Sequence, residues 1–224
     1  MSGAFREYGA NQVIEAQHSL ARAVALAPHI ITRPVNAGNI DDSECLPPLV
    51  YTLISWAREP FNGDPTAFVQ RVLDHLPPTA AQVIAPSVQA REHILSTAAV
   101  WAALDAICVD NPALARQHLS NAIKRLPKLR NQPDLAIALM IDYLKAFPSE
   151  LQLTYAQRFF DALPSMNALR NKALARLHMA RAFHEHTSGA VKESANAAKK
   201  GLQLDRSWLR NRGVLSILWQ GWRA

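Results

Sequence analysis

Two short clusters in this chain have residue types that bind metal ions. The first, Asp41-Asp42-Ser43-Glu44, concentrates carboxylates, whose oxygens are the ligands that divalent cations prefer. It lacks the spacing of an EF-hand, and no predicted strand precedes it to place an Asp-x-Asp motif against a nucleotide sugar. We therefore interpret this run as a solvated loop or a helix cap.

The second cluster, His184-Glu185-His186, has residue types that suggest zinc. On a helix, residues two apart point about 200° away from each other, so the two imidazoles do not reach one ion. We interpret them as surface or capping histidines. The sequence also lacks a glycine-rich phosphate loop and any recognisable pairing of a nucleophile with a base. It therefore predicts no catalytic residue, no metal site and no cofactor.

The end of the chain combines tryptophan with arginine. Leu215, Trp219 and Trp222 fall near one face at helical spacing, and we expect Trp208 near the same face. A helix of this kind either caps an open helical array or lies in a membrane interface. A nucleic-acid site is disfavoured because the basic residues are not interleaved with aromatics in a known module pattern. The candidate interaction surface comprises Arg206, Trp208, Arg210, Arg212, Trp219 and Trp222.

Composition indicates a globular protein with an uneven charge distribution. The 224 residues are 49% hydrophobic and 19% charged, and no apolar run approaches the ~20 residues of a membrane span. Residues 1–157 carry 12 basic and 14 acidic side chains, a net charge of −2, whereas residues 158–224 carry 12 and 4, a net charge of +8. One interpretation of such a basic region is that it binds an anionic membrane, nucleic acid or an acidic partner. The other is that it is a solvated helical face that keeps the protein soluble.

Cysteine usage and the N-terminus favour a cytoplasmic location, with peripheral binding at the inner face of the membrane as a further option. Met1 is not followed by the apolar core of a signal peptide. Cys45 and Cys108 match no metal or redox spacing, and we interpret them as buried thiols, with a disulfide as the alternative.

Prolines and capping residues divide the chain into helical segments. Asp64-Pro65 and Asn111-Pro112 each place a capping side chain before a proline at the first helical position. No segment alternates as a strand would. The predicted helices cover residues 11–27, 48–58, 65–75, 79–84, 87–107, 112–126, 133–144, 166–186 and 190–204, with two more beginning near residues 149 and 207.

Two segments resemble the second half of a tetratricopeptide repeat. They are residues 115–127 and residues 201–206, although Arg206 stands where that repeat usually has proline. Small residues where two helices meet allow close approach, and stacked pairs then form an array. We therefore predict an all-α fold, a tetratricopeptide-like helical solenoid of about ten antiparallel helices.

Both ends of the chain resemble segments of bacterial family 2 glycosyltransferases. Phe5-Arg6-Glu7-Tyr8-Gly9-Ala10-Asn11 is similar to the [FY]-R-x-[HY]-G-[SA]-N segment that closes the catalytic domain in that family. Ser207 to Leu218 is similar to the Pro-x-Trp-Leu-x-Asn-Arg-Gly-Val-x-Ser-Ile-Leu ending of the helical extension behind that domain. The middle of the chain shares only helical character.

This resemblance implies a C-terminal fragment. Residues 1–11 would be the end of a catalytic domain, and residues 12–224 a tetratricopeptide-like domain with a basic last third at 158–224. The parent would transfer a sugar from a nucleotide-activated donor, and this module would dock it onto a protein partner, a glycan acceptor or the membrane. The alternatives are a free-standing tetratricopeptide-like adaptor for protein–protein interaction, and a membrane-surface or nucleic-acid binder that uses the basic last third.

Overall fold

The computed structural model describes residues 2–31, 46–59, 63–131, 133–144, 147–162 and 164–223. Within these ranges the chain is all-helical and has no strand, so the predicted all-α class is confirmed. The α-helices are α1 (Ser2–Gly9), α2 (Val13–Leu26), α3 (Pro48–Ala57), α4 (Pro65–Asp74), α5 (Pro78–Ile84), α6 (Val88–Cys108), α7 (Pro112–Arg125), α8 (Lys128–Asn131), α9 (Pro133–Leu144), α10 (Ser149–Ala162), α11 (Arg170–Thr187), α12 (Val191–Leu204) and α13 (Arg212–Arg223). Short 3-10 helices cover Pro28–Ile30, Pro164–Leu169 and Arg206–Arg210.

The predicted helix starts are largely correct because proline and capping side chains determine them. Five helices, α3, α4, α5, α7 and α9, begin at a proline, which has no N–H to leave unsatisfied in the first turn. The Asp64 carboxylate accepts a hydrogen bond from the Ala67 N–H at 2.7 Å. Ser87 Oγ accepts one from the Ala90 N–H at 3.1 Å, one residue before α6 begins.

Two predicted starts are wrong, and both fall within a 3-10 helix. The helix predicted from Met166 begins as an α-helix only at Arg170, after the 3-10 helix Pro164–Leu169. The helix predicted from Ser207 is a 3-10 helix as far as Arg210, and α13 begins at Arg212. The short helices α1 and α8 were also absent from the prediction.

The chain divides into two compact units. Unit 1 contains residues 1–106 and 113–136, and unit 2 contains residues 107–112 and 137–224. In unit 1, α1 buries Phe5 and Tyr8, and the Tyr8 hydroxyl donates to the backbone carbonyl of His75 at 2.9 Å. Burial raises the pKa of Tyr8 to about 12. Two aromatic side chains of α1 therefore belong to the core of unit 1.

Helix α1 ends in a left-handed residue that redirects the chain. Asn11 has φ 62°, a conformation that asparagine tolerates better than most residues. The Gln12 N–H donates to the Glu7 carbonyl at 2.8 Å, and the Asn11 N–H donates to the Tyr8 carbonyl at 3.1 Å. These two bonds form a Schellman motif, which satisfies the last carbonyls of α1.

In unit 2, α11 and α12 form a helical hairpin. Only Ser188, Gly189 and Ala190 separate the two helices, so they run antiparallel. Gly189 has φ 83°, and the Ala190 N–H donates to the Glu185 carbonyl at 2.9 Å, which makes a second Schellman motif. Close approach depends on Gly201, where an added Cβ would lie 2.7 Å from the Met179 methyl carbon.

His178 makes the α11–α12 pair sensitive to pH. Its burial lowers the pKa of His178 below the usual 6.5, and the charges of Lys200 and Arg181 lower it further. The unfolded chain therefore binds more protons than the folded one, so stability falls as the pH falls from about 6.5 through the folded pKa. We expect the wild type to lose more stability between about pH 7.5 and about pH 5 than His178→Gln, measured by urea midpoints. Parallel losses in the two proteins would contradict this.

Candidate functional site

The segment before α13 is shaped by two side-chain caps. Asp205 Oδ1 accepts a hydrogen bond from the Ser207 N–H at 2.9 Å, which begins the 3-10 helix Arg206–Arg210. Asn211 Oδ1 then accepts from the N–H groups of Gly213 at 2.9 Å and Val214 at 3.2 Å. Asn211 therefore caps α13 and fixes its start.

The Asp205 cap is held in its ionised form. Hydrogen bonds from the side chain and the backbone N–H of Ser207 lower the pKa of Asp205 below its usual 3.8. The positive charges of Lys172 and Arg176 act in the same direction, while desolvation opposes them. The cap is therefore charged at neutral pH.

One face of α13 covers the core of unit 2. Val214 and Ile217 are buried, with exposures of 0% and 1%. They belong to a hydrophobic cluster that also contains Met179, Ala182, Ala195, Ala197 and Ala198. Phe183, Leu202, Trp208 and Leu218 pack against this cluster while remaining partly exposed. This face of the helix has a structural role.

Glycine brings α13 close to α12. A Cβ added to Gly221 would overlap the Cβ of Ala195, so the two backbones approach more closely than any other residue would permit. At the other end of α13, a Cβ added to Gly213 would lie 3.0 Å from Phe183 Cε1. The absence of a side chain at Gly213 and Gly221 therefore allows α13 to pack closely against α11 at one end and α12 at the other.

The opposite face of α13 is apolar and exposed. Leu215, Trp219 and Trp222 are 46%, 53% and 78% exposed, and they occupy positions i, i+4 and i+7. The two indole rings pack against each other with centroids 5.4 Å apart. We call these three residues the outer stripe. Large apolar side chains grouped in this way mark an interaction surface more often than scattered ones do.

Arginines lie beside the outer stripe and in the 3-10 helix that precedes α13. The Arg223 guanidinium carbon lies 4.7 Å from the centroid of the Trp219 ring, within the range of a cation–π interaction. No acidic residue occurs between residues 206 and 223. The arginines of this segment are exposed and form no ion pair with any residue that the structure describes; they are Arg206, Arg210, Arg212 and Arg223.

The structure separates the six residues of the predicted surface into two environments. Five of them are exposed: Arg206, Arg210, Arg212, Trp219 and Trp222. Trp208 is different, because it lies in the 3-10 helix and packs against the core of unit 2. The expectation that Trp208 shares a face with the other tryptophans is therefore wrong, since the 3-10 turn breaks the helical spacing between residues 208 and 215.

Of the other two candidate clusters, the structure describes only the one on α11. The run Asp41 to Glu44 and Cys45 lie outside the described residues. Glu185 pairs with Arg181 at 2.6 Å along α11. No group of three histidine, cysteine or acidic residues within the described ranges is placed to hold a metal ion. Cys108 is half-buried, with Sγ 3.5 Å from the Tyr143 hydroxyl.

Unit 1 has a groove that the sequence did not predict. Its volume is about 520 Å³, and its lining residues come from α7 and from the start of α4: Asp64, Thr66, Ala67, Gln70, Asn121, Lys124 and Arg125. Asp64 already caps α4, and Arg125 pairs with Glu92 at 3.0 Å. The groove's lining residues lie on two helices that are far apart in the sequence, so no local motif signals it.

No described helix has both the length and the apolar character needed to cross a membrane. Among the described residues, the segment from Arg206 to Arg223 combines exposed aromatic side chains with arginines that form no ion pair. Comparisons of the chain with protein-family models, with curated proteins and with solved structures find no match.

Proposed function

We propose that this chain is a non-catalytic helical docking module, and that α13 carries its docking surface. The observation that supports this most strongly is the division of α13 into two faces. Val214 and Ile217 hold the helix on the core, while Trp219 and Trp222 remain exposed at 53% and 78%. The exposed tryptophans are thus presented on a rigid element, as in surfaces where tryptophan contributes much of the binding energy.

We further propose that the module belongs to a nucleotide-sugar-dependent glycosyltransferase of family 2 from a bacterium. The resemblance rests on residues with defined places in the fold, which supports a shared architecture. Phe5 and Tyr8 are buried, and Asn11 ends α1. In the second motif, Asn211 caps α13 and Val214 is buried. The docking target would be a protein partner, a glycan acceptor or the inner face of the membrane.

A tetratricopeptide-like arrangement is part of this proposal. The α11–α12 pair spans residues 170–204, close to the 34-residue length of that repeat. Gly201 lies at the close contact between the two helices, as small residues do where repeat helices meet. This pair also favours the alternative function, a free-standing adaptor for protein–protein interaction.

The test is to replace the chromosomal gene in the source cells with a Trp219→Ala/Trp222→Ala version. We expect the variant protein to accumulate normally, because both side chains are exposed. We also expect the wild type to fractionate with particulate or complex-bound material and most of the double variant to be absent from that fraction. Fractionation followed by immunoblotting measures both the amount and the distribution.

Leu26→Ala is the matched control, since Leu26 lies in unit 1 and is 78% exposed, as Trp222 is. Unchanged distribution of the double variant would contradict the docking role. The same blot tests the glycosyltransferase assignment: a band far above 24.7 kDa supports it, and a band at 24.7 kDa favours the free-standing adaptor.

A further inference from the structure

We propose that the docking target of the outer stripe is an anionic lipid surface. This inference rests on the docking role proposed above and commits it to one target. It is carried by the position of the stripe on α13, by the chemistry of tryptophan, and by the single sign of the charge along residues 206–223.

The first argument is geometric. At 100° per residue, Leu215, Trp219 and Trp222 fall within an arc of about 60° on α13, and Arg212 and Arg223 fall within the next 40° or so. The buried residues Val214 and Ile217 lie on the far side of the helix. Shallow insertion of the stripe into a bilayer interface would therefore place the two guanidinium groups beside the headgroups.

The second argument concerns the side chains themselves. Tryptophan has a large apolar body and one polar N–H, which suits the boundary between acyl chains and headgroups. Trp219 and Trp222 are the two most exposed tryptophans, and Leu215 extends the apolar surface by one further turn. Tryptophan and leucine beside arginine are typical of helices that lie in the membrane interface.

The third argument is the sign of the charge. Arg206, Arg210, Arg212 and Arg223 form no ion pair with any residue in the described ranges, and residues 206–223 contain no acidic side chain. A protein partner would normally meet a rim of mixed charge and hydrogen-bonding groups. A rim of one sign is complementary to phosphatidylglycerol or a similar anionic lipid, where each arginine contributes about a five-fold factor in affinity.

The experiment uses the full 224-residue chain and sedimented vesicles. One set contains phosphatidylcholine alone, and the other contains about 30% phosphatidylglycerol. We expect the wild type to bind the anionic set only. Trp219→Ala/Trp222→Ala should lower the affinity for these vesicles about ten-fold or more, and Arg212→Glu/Arg223→Glu should lower it to a comparable extent. Raising salt from about 0.1 M to about 1 M should abolish binding, because the charges are then screened.

Two control variants match these changes in type. Leu26→Ala removes an equally exposed apolar side chain from unit 1, and Arg158→Glu reverses an exposed charge on α10. Both should bind the anionic vesicles as the wild type does. Circular dichroism and urea unfolding verify that every variant is folded.

Three outcomes of the vesicle experiment would overturn the inference. They are absence of binding to anionic vesicles, equal binding to neutral vesicles, and full binding by the tryptophan double variant. Tryptophan-dependent binding to a single-stranded oligonucleotide without vesicle binding would also overturn it and favour nucleic acid. If the chain does not bind anionic vesicles but its distribution in cells still depends on Trp219 and Trp222, the docking role stands and its target is not lipid.

Discussion

Ile217→Ala should lower the free energy of unfolding of unit 2 by about 2–5 kcal/mol. Ile217 is 1% exposed and contributes to the cluster that joins α13 to α11 and α12. Truncating it leaves a cavity that small neighbours such as Ala195 and Ala198 fill poorly. Urea unfolding followed by circular dichroism measures the change.

Trp222→Ala is the control from the same helix. It removes a larger side chain, but one that is 78% exposed, so stability should change by no more than about 0.5 kcal/mol. The two results together test whether α13 has a structural face and a free face. Similar losses in the two variants would contradict that division.

Gly221→Ala should also destabilise unit 2, although alanine is the better helix former. The intrinsic preference favours alanine by about 1 kcal/mol. The added methyl group, however, overlaps the Cβ of Ala195, which is attached directly to the α12 backbone and has no rotamer by which to move. Overpacking of this kind costs about 1–3 kcal/mol, so we expect a net loss, with partial displacement of α13.

Gly3→Ala provides the opposite case. Gly3 lies in α1, and an added Cβ would meet no atom within 4 Å. That substitution should be neutral or stabilising by up to about 1 kcal/mol. Thermal unfolding of both variants gives the comparison, and a stabilised Gly221→Ala protein would show that α13 does not pack on α12 as described.

Much of the helical organisation follows from local signals. The starts of α4 and α6 depend on side-chain caps at Asp64 and Ser87, and both caps are visible in the sequence. The predicted start of α13 is too early because the chain first forms a 3-10 helix at 206–210. That helix has only five residues, too few for its three-residue period to be distinguished from the α-helical period in the sequence. The residue that fixes this start, Asn211, is a capping type and was the available signal.

Which face of α13 is covered could not be predicted from its own residues. Val214, Leu215, Ile217 and Trp219 are all apolar, so the sequence alone does not say which of them are covered. The covering residues, such as Met179 and Ala195, lie on other helices. Burial of Val214 rather than Leu215 is therefore decided by tertiary packing.

The measurement that tests the two-faced helix most directly is oxidative footprinting of the tryptophans in the intact chain, read by mass spectrometry. We predict that Trp222 and Trp219 react fastest and that Trp101, which is 5% exposed, is protected. Adding anionic vesicles should then protect Trp219 and Trp222 alone. If those two residues were as unreactive as Trp101 in the free chain, the outer stripe would be covered, and the docking surface would not exist.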